Sequence, residues 1–145
     1  GYSRNLQQKP KETVDFNDIA RVKREWFGPS SDGLLTMGFA SRGAGDTPPE
    51  VYRKEWEFAR SLGLPITQHA GRSLAEIKRF RRIEMLYKDK LLGPDVQLIH
   101  TYSASPEERG MIAETKSHVS IAPFTASRLA SAWAMWSGVP ALPDR

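Results

Sequence analysis

The sequence predicts an α/β fold made of parallel β/α units, and three observations predict it. Two short apolar runs, Leu64-Pro65-Ile66-Thr67-Gln68-His69 and Val96-Gln97-Leu98-Ile99-His100, each end in a histidine. Each follows a helix-like stretch closed by a glycine, Leu62-Gly63 before the first and Leu92-Gly93-Pro94 before the second. Small and polar residues come next, Ala70-Gly71-Arg72-Ser73 and Thr101-Tyr102-Ser103-Ala104-Ser105. Strand, histidine, loop and helix, repeated about thirty residues apart, is the rhythm of a parallel sheet with helical crossovers. Chemistry in such folds gathers at the C-terminal ends of strands. An imidazole there serves as a metal ligand or a general acid/base. Two of the chain's 3 histidines fall at such ends. On adjacent strands they would lie about 5 Å apart; the competing reading for each is an ordinary hydrogen-bonded side chain.

The elements follow in order. Residues 1–15 are polar and read as a loop or chain end. Asp15 or Asn17 caps a short helix around 18–26, and Gly28-Pro29-Ser30-Ser31-Asp32-Gly33 is a turn cluster. Residues 34–40 read as a buried strand, followed by the glycine-rich Ser41-Arg42-Gly43-Ala44-Gly45-Asp46. Thr47-Pro48-Pro49-Glu50 is a helix start with threonine as cap, and that helix runs through Val51, Trp56, Phe58 and Leu62 until Gly63 ends it. Strand 64–69 comes next. Ser73 opens a helix over 74–92, with Ile77, Phe80, Ile83, Leu86, Tyr87 and Leu91 as its apolar positions. After strand 96–100, Ser105-Pro106-Glu107-Glu108 starts a helix over 109–116. His118-Val119-Ser120-Ile121-Ala122-Pro123 is a fourth strand, and 126–136 is helical. The domain reading is a polar segment with a connecting helix over 1–33 and β/α units over 34–145.

Composition narrows the class. A hydrophobic fraction of 39% and a charged fraction of 26% describe a globular protein. Apolar runs fall far short of the ~20 residues of a membrane helix. With 0 cysteines, disulfides and thiolate metal sites are excluded, so a metal must sit on histidine and carboxylate. The expected location is cytoplasmic. The net charge of +4 comes mainly from clusters such as Lys78-Arg79-Phe80-Arg81-Arg82. Those residues spread over more than one helical face and read as solvated surface. Neither a nucleic acid nor a membrane is an expected partner, since a nucleic-acid footprint would want a longer basic stripe with exposed aromatics.

Taken together, residues 34–42, Pro48-Pro49-Glu50-Val51, the segment 59–71, Leu91-Leu92-Gly93-Pro94-Asp95 with the strand after it, and Val119-Ser120-Ile121-Ala122-Pro123 resemble the metal-dependent amidohydrolase superfamily. The likeness runs from about residue 34 to 140 and leans toward the cytosine deaminase and chlorohydrolase branch. It implies a (β/α)8 barrel of the TIM type, of which this chain would supply strands four to seven, about the second half. It implies one divalent metal, zinc or alternatively iron, at the C-terminal mouth. His69 would be a metal ligand. His100 would join the ligands or orient the water that the metal activates, and so would be the catalytic residue. The implied activity is hydrolysis of a C–N or related bond in a small heterocycle or amide. Arg42 and Arg72, each following a strand end, are the candidate substrate-binding residues for an anionic or carbonyl group, with a surface role as the favoured reading of each.

The chain departs from the family's pattern at several points. It has no His-x-His pair, and Asp144 follows Gly138-Val139 too soon to be the eighth-strand aspartate. Position 72 is arginine where deaminase-like members carry a glutamate proton shuttle. Phe124-Thr125-Ala126-Ser127 offers no glutamate after the seventh strand. A catalytic zinc takes three protein ligands plus water. The expectation is therefore a piece of a larger enzyme, completed by the remaining barrel half or a second copy. The alternative is a degenerate, non-catalytic binding or structural relative. His118, at the far end of its strand, reads as structural. Trp133, Met135 and Trp136 read as core packing, with a pocket wall for a flat heterocycle as the other use. Gly43-Ala44-Gly45-Asp46 lacks the spacing of a phosphate-binding loop.

Overall fold

The computed structural model describes residues 2–3, 11–27, 35–71, 78–102 and 104–122. In chain order these form β1 (Tyr2–Ser3), α1 (Phe16–Trp26), β2 (Phe39–Ser41), α2 (Pro49–Ser61), β3 (Ile66–His69), α3 (Arg82–Lys88), β4 (Val96–Ile99), α4 (Pro106–Glu114) and β5 (His118–Ser120). The strands make one sheet in the order β1-β2-β3-β4-β5. Every neighbouring pair is parallel. The predicted class, parallel β/α units arranged as in a β/α barrel, is what the chain adopts. The N-terminal segment differs from the expected loop, because Tyr2 and Ser3 pair with Phe39 and Ala40. The readings of residues 126–136, Arg72 and Asp144 fall outside the described residues.

Register sorts the strand residues onto two faces. Phe39, Ile66 and Val96 share one level, and Ser41, Gln68 and Leu98 share another. All six are buried. Against that face pack Tyr52, Trp56 and Ala59 of α2 and Ile83 and Leu86 of α3. The opposite face carries Ala40, Thr67, Gln97 and His118 at one level and His69, Ile99 and Ser120 at the next. These are half-buried or exposed. The strands are thus buried on one face, not on both as their apolar runs imply, because every second residue after Ile66 and Val96 is polar or partly exposed. β2 also begins later than expected. Pro65 has no N–H to offer the neighbouring strand, and its carbonyl accepts from Phe39 N at 2.8 Å, which sets where pairing starts.

Caps fix the helices. Asp15 Oδ1 accepts from Asp18 N at 3.0 Å and starts α1. Ser105 and Glu108 form a reciprocal capping box on α4. Thr47 does not cap α2 as expected. Pro48 holds that position, and Thr47 Oγ1 donates instead to Gly43 O at 3.1 Å. The helix expected over 74–92 is interrupted at Arg81: residues 78–80 are helical before it, α3 follows it, and 74–77 lie outside the described residues. The backbone turns left-handed at Arg81 (φ 46°), and α3 closes at Lys88.

One device ends α2, α3 and α4. A left-handed residue follows the cap, and the two N–H groups after the cap reach back into the last turn. Gly63 N donates to Arg60 O and Leu64 N to Ala59 O; Lys90 N donates to Tyr87 O and Leu91 N to Leu86 O; Lys116 N donates to Ala113 O and Ser117 N to Ile112 O. Only the first of these left-handed residues is a glycine, with φ of 65°, 57° and 56° respectively. Among the described residues no helix is long and apolar enough to cross a membrane.

α2 and α3 are joined by a polar contact that makes stability depend on pH. Tyr52 Oη donates to Asp89 Oδ2 at 2.5 Å, and Arg53 donates to both Asp89 oxygens. Burial first, and then the hydrogen bond to Asp89, push the Tyr52 phenol up to about 12 from 10.0. The hydrogen bonds from Arg53 lead in holding Asp89 below its usual range. A raised phenol contributes stability that is complete below 10.0 and lost as pH climbs toward 12. A lowered carboxyl contributes stability present above its unfolded value and lost as pH falls through its folded one. The Tyr52→Phe variant is therefore expected to flatten the alkaline limb of a urea-unfolding stability profile while leaving an acid limb. An unchanged alkaline limb would contradict the assignment.

Candidate metal centre

The site forms where β3 and β4 end. His69 is the last residue of β3, pairs in register with Ile99, and stands on the exposed face with Thr67. The ladders continue one step beyond the strands: Ala70 N donates to Ile99 O at 2.9 Å, and His100 N to Ser120 O at 3.1 Å. Strict alternation would send the His100 side chain to the face opposite His69, beside Leu98. It does not go there. His100 takes φ 78°, a left-handed conformation that histidine enters more readily than most residues. Its ring meets that of His69 with centroids 4.8 Å apart and planes at 44°.

The loop after β4 reinforces this turn. Tyr102 N donates back to His100 O, and the Tyr102 ring centre lies 5.7 Å from that of His100. Tyr102 is buried, and its Oη donates to Ala122 O at 3.0 Å and accepts from Ala122 N at 2.8 Å. The loop after β2, on the same rim, is also built rather than loose. Arg82, 3% exposed, donates from Nε to Ala44 O at 3.0 Å and from Nη2 to both Asp46 oxygens at 3.1 Å. Buried Gln68 Nε2 donates to Ala44 O at 3.4 Å. Gly43 is required there: φ is 54°, and a Cβ would sit 1.9 Å from Gln68 Oε1.

Two imidazoles are the donors a zinc or iron site needs when cysteine is absent. With nitrogen about 2.0–2.1 Å from the ion, two rings sharing a tetrahedral zinc have centres about 5 Å apart. The observed 4.8 Å fits. Among the described residues no group of three or more histidine, cysteine, aspartate or glutamate side chains converges. The pair thus fits as part of a ligand set. Arg42 follows β2 and is half-buried; Ser41 pairs with Gln68, so Arg42 stands one strand away at the level of His69. Arg72 lies outside the described residues. His118 is exposed at the start of β5, level with Gln97 and two positions before the rim.

Two contributors escaped sequence reasoning. Arg82 belonged to a cluster read as solvated, yet it is buried, because the left-handed turn at Arg81 carries it inward to Ala44 and Asp46. Tyr102 was passed over in a small, polar loop. Its signal was present, since it is the one large side chain in Thr101-Tyr102-Ser103-Ala104-Ser105.

The fold of the chain is similar to that of a solved structure of a zinc-bound adenosine deaminase from Xanthomonas campestris. The TM-score is 0.65 at 20% identity, over 80% of this chain and 27% of that one. The chain therefore spans about a quarter of the length of the deaminase it matches. The likeness is one of fold alone. No family model matches the chain, and no curated protein matches its sequence.

Proposed function

We propose that the protein acts as a metal-dependent hydrolase of the amidohydrolase type, cleaving a C–N or related bond of a small heterocycle or amide. One observation carries this reading: His69 and His100, at the ends of adjacent parallel strands, meet ring to ring on the rim of a fold shared with a zinc-bound deaminase. A divalent ion held by His69 and His100, zinc before iron, would supply Lewis acidity and a water ionised near neutral pH. His69 serves as ligand. His100, fixed by its turn, either joins the ligands or orients the attacking water and stabilises charge at the attacked centre. Water adds to that carbon, the C–N bond breaks, and the amine leaves with a proton. Arginine at position 72 cannot shuttle that proton, so either another group moves it or turnover is slow. Arg42 and Arg72 are proposed to receive a carbonyl or anionic group of the substrate. The cytosine deaminase and chlorohydrolase branch and a cytoplasmic setting complete the proposal, as does a partner that closes the barrel, either its other half or a second copy.

A second reading is favoured by Arg72 itself. Without the carboxylate shuttle, the chain would be a non-catalytic binding or structural relative. An assay of amine or halide release from amino- and chloro-substituted heterocycles separates the two. Turnover lost to a chelator and restored by zinc supports the enzyme. Absence of turnover in metal-replete protein supports the second reading.

A further inference from the structure

We infer that Tyr102 is a positioning residue that holds His100 against His69. The inference rests on the reading of those histidines as a metal-holding pair, and it adds a residue that neither the strand pattern nor the ligand set includes. His100 has a backbone conformation that strand alternation does not provide, with φ 78°. Something must hold that turn, and the contacts converge on Tyr102. Its N–H closes the turn on His100 O. Its ring lies 5.7 Å from the His100 ring, centre to centre. Its hydroxyl is saturated by one residue, Ala122, whose N–H it accepts at 2.8 Å and whose carbonyl it donates to at 3.0 Å.

Ala122 follows β5, the strand whose Ser120 O accepts from His100 N. Tyr102 and His100 are therefore tied to the same stretch, residues 120–122, by three hydrogen bonds from two directions. A hydroxyl committed to backbone on both sides is poorly placed to act on substrate. Its effect reaches the site through the geometry of His100.

The test compares Tyr102→Phe with the unaltered protein. Phenylalanine keeps the ring and removes both bonds to Ala122. Zinc affinity, measured by competition with a chromophoric chelator, is expected to fall about tenfold to a hundredfold, as when a partner that orients a ligand is lost. The nuclear Overhauser contact between the His69 and His100 ring protons is expected to weaken in the zinc-free protein.

Thr115→Val breaks the hydrogen bonds of Thr115 Oγ1 to Met111 O and Ile112 O at the end of α4. It controls for stability loss alone and should leave zinc affinity unchanged. Ala122→Pro removes the N–H that Tyr102 accepts, while fixing φ at 122 and restricting Ile121, and supplies a second route should Tyr102→Phe fail to fold. Where the unaltered protein binds zinc, equal affinity in the folded variant overturns the inference. Where it binds none, the metal reading fails by itself and the ring contact decides: lost in the variant, the positioning role stands; retained, it falls.

Discussion

Replacing His69 by alanine is expected to lower divalent-metal affinity by more than about 100-fold, since losing a partner that merely orients a ligand already costs 10–100-fold. Turnover should fall with it, and a hundredfold loss corresponds to about 2.7 kcal/mol of transition-state stabilisation. The fold should survive, because His69 is exposed at the end of β3 and its backbone pairing does not depend on the imidazole. Surface substitutions of that kind stay within about 0.5 kcal/mol. Metal content by elemental analysis, with thermal unfolding of the same samples, checks both halves. Unchanged metal content would remove His69 from the ligand set, and a collapse in stability would make it a structural residue.

The largest effect on stability is expected at Trp56. Its side chain is fully buried between α2 and the sheet, and Nε1 donates to Ser41 Oγ at 2.8 Å. Truncation to alanine opens a cavity and strands the Ser41 hydroxyl, at a cost of about 3–5 kcal/mol. Against a total stability of about 5–15 kcal/mol, such a loss leaves a marginal fold. Urea unfolding of Trp56→Ala beside Trp56→Phe measures it, with the phenylalanine variant intermediate. Ser41 immediately precedes Arg42 on the rim, so the damage should reach the loop after β2. A cost below about 1 kcal/mol would mean that the helix–sheet contact is not the organising one.

Much of this architecture was legible in the residues, for identifiable reasons. The short apolar runs around Ile66 and Val96, proline and acidic residues at helix starts, and Gly63 after α2 all carry local signals that packing did not override. The pairing of His69 with His100 was legible too, because both close β/α units of equal rhythm. The means by which they meet was not. Register puts His69 opposite Ile99, so the histidines are one residue out of step, and only a left-handed His100 brings the rings together. Nothing local announces such a turn in a histidine.

The same difficulty hid the ends of α3 and α4. Lysines at 90 and 116 take the left-handed position where glycine is the expected signal. Burial of Arg82 depended on Ala44 and Asp46, far away in sequence, and a cluster of like charges gave no hint of which member turns inward. The two-residue strand at Tyr2–Ser3 is held by pairing with β2, a tertiary contact that its own composition does not encode.

The central claim is that His69 and His100 together hold a divalent metal. Elemental analysis of the protein purified without chelators tests it most directly, with the double variant His69→Ala/His100→Ala prepared alongside. The account predicts about one zinc or iron per site in the unaltered protein, with the partner that closes the barrel supplying the remaining ligands, and none in the double variant. Equal metal content in the two, or none in either after incubation with zinc, would contradict it.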